Sequence, residues 1–216
     1  MNHATSSLKN LTPGTQTYAG RCSVCYMRQE VCICSLIPRI ENRTPVTVIM
    51  HHRESYKTTN TARIACLALK NSQILIRGLK NDPLNLDSIH DDNHQSVLLT
   101  LSEQSATLTP EWVAQQTKPI HLIVPDGSWR QASRMGKREP ALKNIPWVQL
   151  PPGPESRYFL RHEHDPRGMA TLEAMARALG IIESAEVQVS LEEIFNTMVD
   201  RTLRTRSHRH PTLGAV

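Results

Sequence analysis

The sequence predicts an α/β fold, a mainly parallel sheet with helices on its faces, joined to a small N-terminal cysteine module. Short apolar, β-branched runs alternate along the chain with segments whose apolar residues recur at helical spacing, the pattern of parallel strands and crossover helices. Four of the five cysteines, Cys22, Cys25, Cys32 and Cys34, are crowded near the start, ahead of that pattern. A chain of 216 residues with 39% hydrophobic content can bury one such core and carry a small appendage.

Residues 1–20 are polar and rich in Ser and Thr, the composition of a disordered segment. Residues 21–40 are the cysteine module. At 46–50, Val-Thr-Val-Ile-Met reads as a buried strand, and Ile64, Leu67 and Ala68 place a helix over 60–70. The stretches 73–77 and 96–101 read as the next two strands. Residues 120–124 (Ile-His-Leu-Ile-Val) form the clearest core strand, which runs into Pro125-Asp126-Gly127 and then a helix through Arg138. A short strand at 147–150 enters the loop Pro151-Pro152-Gly153-Pro154, and a helix follows over 171–179. Ser190 and Glu193 have capping-box spacing, so the last helix is expected to begin there, with Leu191, Ile194, Phe195 and Met198 on its apolar face. The main domain thus covers 41–206, and 207–216 is a basic tail. There is no GxGxxG and no GxxxxGK[ST], so the usual dinucleotide and P-loop sites are excluded.

The cysteines have the spacing Cys22-x2-Cys25-x6-Cys32-x-Cys34. Four close thiols can converge on one tetrahedral Zn²⁺, and four protein ligands leave no position open, so the expected metal is structural. Two disulfides or an iron–sulfur cluster are the alternatives; disulfides fit poorly, because no secretory leader pattern is present. No apolar run reaches membrane-spanning length, so a soluble cytoplasmic protein with no membrane partner is expected. The net charge of +5 permits a polyanionic partner without requiring one. Its placement is more informative. Arg157, Arg161 and Arg167 flank the Pro/Gly loop, and Arg201, Arg204, Arg206 and Arg209 crowd the C-terminus. Those terminal arginines suit a solvated helix end as well as they suit nucleic acid.

Three constellations carry chemistry. Asp126-Gly127-Ser128-Trp129 follows the best strand, and ligands of open α/β sheets lie beyond the carboxyl ends of strands. There Asp126 is a carboxylate able to accept a proton or orient one, and Trp129 offers a flat face. By itself the same stretch is better read as an Asp-Gly turn beside a core Trp. The second constellation runs from Leu150 through Ser156-Arg157-Tyr158 and Arg161 to Thr171 and Glu173, a long loop and a helix start that can take a polar cofactor. The third, His51-His52-Arg53-Glu54 with Lys57 and Asn60-Thr61, follows the first strand. Adjacent histidines in a strand point to opposite faces, so a metal shared by His51 and His52 is not expected. His162, His164 and Asp165 are read as a loop that meets solvent or phosphate.

Together and in this order, these pieces resemble the DTW-domain family, named for an Asp-x-Thr-Trp motif, and in particular its bacterial tRNA-uridine aminocarboxypropyltransferases. The four cysteines match the family's zinc knuckle. His51-x2-Glu54 with Asn60-Thr61, Asp126-Gly127-Ser128-Trp129-x-Gln131-Ala132, Ser156-Arg157-Tyr158-x2-Arg161 and Thr171-x-Glu173-Ala174 match the remaining motifs. Ser128 stands where the name motif has Thr, which keeps the hydroxyl. The resemblance covers roughly residues 20–183. It implies a SPOUT-like knotted fold that holds S-adenosylmethionine, and transfer of its 3-amino-3-carboxypropyl group to N3 of a tRNA uridine, at position 47, with release of methylthioadenosine. On that reading Asp126 is the candidate general base. Leu122, Pro125, Gly127, Ser128, Trp129 and Leu150 are expected around the cofactor, with Ser156, Tyr158, Arg161, Thr171 and Glu173 completing its site. RNA is expected on His51, Arg53, Glu54 and Lys57, on Arg130, Arg157 and Arg167, and on Arg204 and Arg206. The protein is expected to act as a monomer or weak homodimer. The competing readings are a SPOUT-like RNA methyltransferase that uses the same cofactor and a zinc-knuckle RNA-binding module without catalysis.

Overall fold

The computed structural model of the chain describes residues 20–80, 84–158 and 168–207, with the backbone alone at 16–17, Trp129, Arg206 and Ser207. A short ribbon of β1 (Gln16–Thr17) and β2 (Arg21–Cys22) comes first. The centre is one sheet built from β3 (Val46–His51), β4 (Ser72–Arg77), β5 (Gln95–Leu99), β6 (Ala106–Thr107), β7 (Ile120–Asp126) and β8 (Trp147–Gln149). The six strands lie in the order β4-β3-β7-β5-β8-β6, and every neighbouring pair is parallel. All carboxyl ends therefore fall on one edge, where the functional site is built.

The helices are α1 (Thr61–Ala68), α2 (Pro110–Ala114), α3 (Trp129–Arg138), α4 (Thr171–Ile182) and α5 (Ala185–Ser207). Alternation along each strand divides the core by sheet face. Val46, Val48 and Met50 of β3 join Leu122 and Val124 of β7 in the larger cluster, with α1, α4 and α5. Ile49 and Ile123 point the other way and meet Leu98, Met135 of α3 and Leu142. Val24, Met27 and Ile33 of the cysteine module are buried in the larger cluster, so module and sheet share one core.

Strand and helix positions follow the sequence pattern closely, with a few departures. The strand expected over 96–101 ends at Leu99, which frees Thr100 and Leu101 for the site. Ser190 does not start a helix. It lies inside α5, which begins at Ala185, because Val187 extends the apolar stripe of Leu191, Ile194 and Met198 one turn back. α2 was not expected, although Thr109 caps it by accepting from Trp112 N and Pro110 occupies its first turn. Among the described residues no helix is long and apolar enough to cross a membrane. The knotted threading expected after β8 involves residues 159–167, which lie outside the described residues.

Candidate functional site

Residues at or just past the ends of four parallel strands line a cleft of about 550 Å³: Leu99, Thr100 and Leu101 after β5, Thr107 of β6, Pro125 and Gly127 of β7, and Gln149 and Leu150 of β8. The loop 151–156, Thr171, Ala174 and Arg177 close its remaining side. The walls are mostly apolar with a few convergent polar groups, and the volume is in the range of small-molecule sites. Gly127 belongs there for a packing reason: a Cβ would come 2.9 Å from Gln131 Cβ. Gln131 is held in place, since its Oε1 accepts from both Ser128 N and Ser128 Oγ at the start of α3.

Of the residues expected around a cofactor, Pro125, Gly127, Leu150, Ser156 and Thr171 line this cleft. Leu122 does not: it is fully buried in the middle of β7 and belongs to the core. Ser128 is exposed and serves the α3 cap. The Trp129 side chain and Arg161 lie outside the described residues. Sequence reading missed the β5 end, the β6 end and Arg177. The rule that ligands sit beyond strand ends could have found the first of these, because that strand was recognised.

Two buried carboxylates stand behind the cleft wall. Asp126 is 4% exposed. Its Oδ2 accepts from Asn60 Nδ2 at 2.7 Å and its Oδ1 from Thr171 Oγ1 at 2.6 Å. Both partners are helix starts: Asn60 caps α1 by accepting from Arg63 N, and Thr171 is the first residue of α4. One carboxylate thus fixes the end of β7 against two helices. Glu173, 5% exposed, accepts from Ala170 N and Arg157 N at 3.1 and 3.0 Å and from the Ser156 hydroxyl. It ties the loop after β8 to the first turn of α4. Tyr158 is buried and donates its hydroxyl to Thr59 O at 2.5 Å, joining the same loop to the turn before α1. Arg177 Nη2 donates to Pro154 O and holds the loop from its other flank.

The residues expected at RNA divide by exposure. Arg53, Arg130, Arg157 and Arg204 are exposed, and Lys57 is largely so. Glu54 is 1% exposed and accepts from Lys57 Nζ at 2.6 Å, so it orders its loop and offers no surface. Arg201 is drawn out of the terminal cluster, because its Nη1 donates to Cys32 O. Arg167, the side chain of Arg206, Arg209, His162, His164 and Asp165 lie outside the described residues. The expectation that His51 and His52 point apart is corrected: their ring centroids are 4.6 Å apart, because β3 ends at His51 and a 3₁₀ turn over His52–Glu54 swings the second ring back. Arg63 was not anticipated at all. It is 5% exposed, donates to Ser55 O and lies 4.1 Å over the Tyr26 ring, bracing the cysteine module against α1.

The four cysteine sulfurs lie within 4.8 Å of one another. Cys22 Sγ and Cys34 Sγ are 3.5 Å apart, and Cys25 Sγ and Cys32 Sγ 3.7 Å. At these distances the four thiols are free and no disulfide is formed among them. A tetrahedron with Zn–S of about 2.3 Å places its sulfurs about 3.8 Å apart, so the cluster has the dimensions of a closed four-thiolate zinc site. Burial, then the neighbouring Cys32 and Cys22 sulfurs, push the Cys25 thiol up to about 11, whereas at Cys22 burial is outweighed by hydrogen bonds from the Cys25 and Val24 backbone and the thiol falls to about 6. The site is remote in role from the cleft, which contains none of these residues.

The DTW domain matches residues 19–203 of the chain. The tRNA-uridine aminocarboxypropyltransferase 2 of Drosophila melanogaster is 26% identical over 198 residues, covering 88% of this chain and 78% of that protein. The protein of the same name from Macaca fascicularis is 28% identical over 169 residues, covering 75% of this chain; the match spans 56% of that relative's length, little more than half. In fold, the chain is similar to the SAM-dependent rRNA:acp-transferase Tsr3 from Vulcanisaeta distributa, with a TM-score of 0.51 and 16% identity over 76% of this chain and 80% of that one.

Proposed function

The chain belongs to the DTW-domain family, and from that premise we propose that it is a tRNA-uridine aminocarboxypropyltransferase dependent on S-adenosylmethionine. The observation that carries the reading is the cleft at the strand ends, walled by Pro125 and Gly127 at the DTW motif and by the late loop that Glu173 and Tyr158 hold in place. Relatives that match 88% and 75% of the chain bear that activity in their names. The cleft fits the cofactor: Leu99, Leu101 and Leu150 offer an apolar bed for an adenine, while at the polar end Arg177 offers guanidinium donors and the hydroxyl oxygens of Ser156 and Thr171, whose protons go to Glu173 and Asp126, can accept from an ammonium. When bound, S-adenosylmethionine supplies a sulfonium-activated carbon: uridine N3 bonds to it, the sulfur–carbon bond breaks with its electron pair going to sulfur, methylthioadenosine leaves, and the N3 proton passes to water.

The protein's own residues bind and orient. Asp126 is buried behind the wall with both oxygens engaged, so in this reading it positions Thr171 and the α1 start, and the general-base role is not assigned to it. Arg53, Arg130 and Arg157 lie exposed for phosphates. The acceptor is a tRNA uridine at position 47, and the enzyme works in the cytoplasm as a monomer or weak homodimer with one structural Zn²⁺. Purified protein incubated with S-adenosylmethionine and unmodified tRNA should yield aminocarboxypropyluridine and methylthioadenosine by mass spectrometry. Adenosylhomocysteine with a methylated nucleoside would replace this reading by the methyltransferase one.

A further inference from the structure

We propose that Arg63 and Arg201 are the counter-cations of a metal held by Cys22, Cys25, Cys32 and Cys34, and that Arg63 thereby fastens the cysteine cage to the start of α1 behind the cleft. This rests on the structural Zn²⁺ of the functional reading and adds two residues to it; it does not depend on the transfer reaction.

A buried charge needs a partner. Arg63 is buried, and no carboxylate among the described residues forms an ion pair with it. Its Nη2 donates to Ser55 O at 2.9 Å, while its Nε is buried without a hydrogen-bond partner. A guanidinium keeps its proton in proteins, so Arg63 cannot escape the cost of burial by becoming neutral.

The cage supplies the missing anion. Zinc binds cysteine as thiolate, and a dication among four thiolates leaves two net negative charges. Arg63 stands next to them. Its guanidinium lies 4.1 Å over the Tyr26 ring, and Tyr26 directly follows the ligand Cys25. Burial lowers the Arg63 pKa; Tyr26, Cys66, Cys25 and lastly Asp126 raise it, so the Cys25 sulfur is within electrostatic reach. Arg201 comes from α5 to the other pair of ligands, where its Nη1 donates to Cys32 O. It too has no ion pair among the described residues. Two cations thus answer two charges.

Tyr26 fits the same account. Its φ is +63°, a left-handed conformation uncommon for a tyrosine, and its N donates to Cys22 O at 3.0 Å within the knuckle. A glycine would adopt that backbone more easily but would offer no ring to the guanidinium. On its other side Arg63 supports the cleft wall. Its backbone N donates to Asn60 Oδ1 at 2.8 Å, and Asn60 Nδ2 donates to Asp126 Oδ2 at 2.7 Å.

Cobalt in place of zinc reads the charge directly. The full chain loaded with Co²⁺ has a thiolate-to-metal charge-transfer band, and a nearby cation holds the sulfur electrons more tightly. R63M, R63Q and R201M should move that band to longer wavelength, whereas R63K, which keeps the charge, should stay near wild type. Zinc affinity measured against a chelator should fall about 10–100-fold in the neutral variants. Y26L keeps both cations and should leave the band in place. Arg201 is only partly buried, so R201M can be made without opening the core. A band and affinity unmoved in R201M, or shifted as far in R63K as in R63Q, overturn the pairing. Wild-type protein that binds neither metal overturns the structural zinc and the pairing together; metal-loaded wild type matched by every neutral variant overturns the pairing alone.

Discussion

Asp126→Asn isolates what the buried carboxylate does, because the amide keeps its size and loses its charge. Asp126 accepts two hydrogen bonds, from Asn60 Nδ2 at 2.7 Å and Thr171 Oγ1 at 2.6 Å. Hydrogen bonds to a charged partner contribute roughly 1.5–3 kcal/mol each, about twice a neutral one. An asparagine can still accept from Asn60 and turn its own amide toward the Thr171 oxygen, so both bonds survive in neutral form. About half of the original interaction is then lost, and relief of charge burial returns part of it, leaving a net destabilisation of about 2 kcal/mol. Asp126→Ala should cost about 4 kcal/mol, since two buried donors are left unsatisfied. The effect on turnover comes through position. Thr171 lines the cleft, and a displacement of about 1 Å in a reacting geometry costs about 100-fold. The expected result is therefore a roughly 100-fold lower kcat, S-adenosylmethionine affinity within about tenfold, and a pH–rate profile of unchanged shape. Urea unfolding, calorimetric titration of the cofactor and single-turnover transfer across pH 6–9 measure the three. Wild-type kcat and stability in Asp126→Asn would refute the positioning argument. A variant with normal stability whose profile loses its acid limb would return Asp126 to the general-base role.

Elemental analysis should find one zinc per chain, and Cys32→Ser should lower metal content and folding stability together, because metal binding and folding are one equilibrium in so small a site; an iron chromophore or metal-free folded protein would contradict this. His121 is 5% exposed and bonded through Nε2 to Thr47 Oγ1 at 2.9 Å, and burial, aided by His94 and opposed by Asp91, lowers its pKa to about 4 from 6.5. Its contribution is complete above pH 6.5 and is lost as pH falls toward 4; at about 1.4 kcal/mol per pH unit that interval is worth about 3 kcal/mol. The acid limb of a stability–pH curve should flatten in His121→Gln, and an unchanged limb would refute the assignment. Removing Arg53, Arg130 or Arg157 should each reduce the slope of log affinity for tRNA against log salt by about 0.9 if that side chain meets one phosphate, and a filter-binding series at several salt concentrations reads this directly.

What the sequence determined by itself is local. Short apolar, β-branched runs and the 3.6-residue period placed most of the strands and helices, since burial leaves its mark on the chain whatever lies opposite. The spacing of Cys22, Cys25, Cys32 and Cys34 was legible for the same reason: a four-ligand cage of about thirteen residues closes on itself. Asp126-Gly127 could be seen at the end of a strand. The tertiary structure decided everything that depends on which segments meet. No local pattern says that β5, β6 and β8 bring their ends to the same cleft, because parallel pairing is set by partners far away in sequence. Nothing in the sequence around Asp126 names its two partners, Asn60 and Thr171, which come from sixty-six and forty-five residues away. Leu122 looked adjacent to the site and is a core residue of mid-strand. Ser190 had the spacing of a cap, and a longer apolar stripe overrode it once α4 and α5 packed together. His51 and His52 were expected to diverge by strand alternation, which fails where the strand stops and the backbone turns. Hydrogen-bond partners, ring tautomers and cleft walls are properties of converging segments, and convergence is settled only when the sheet assembles.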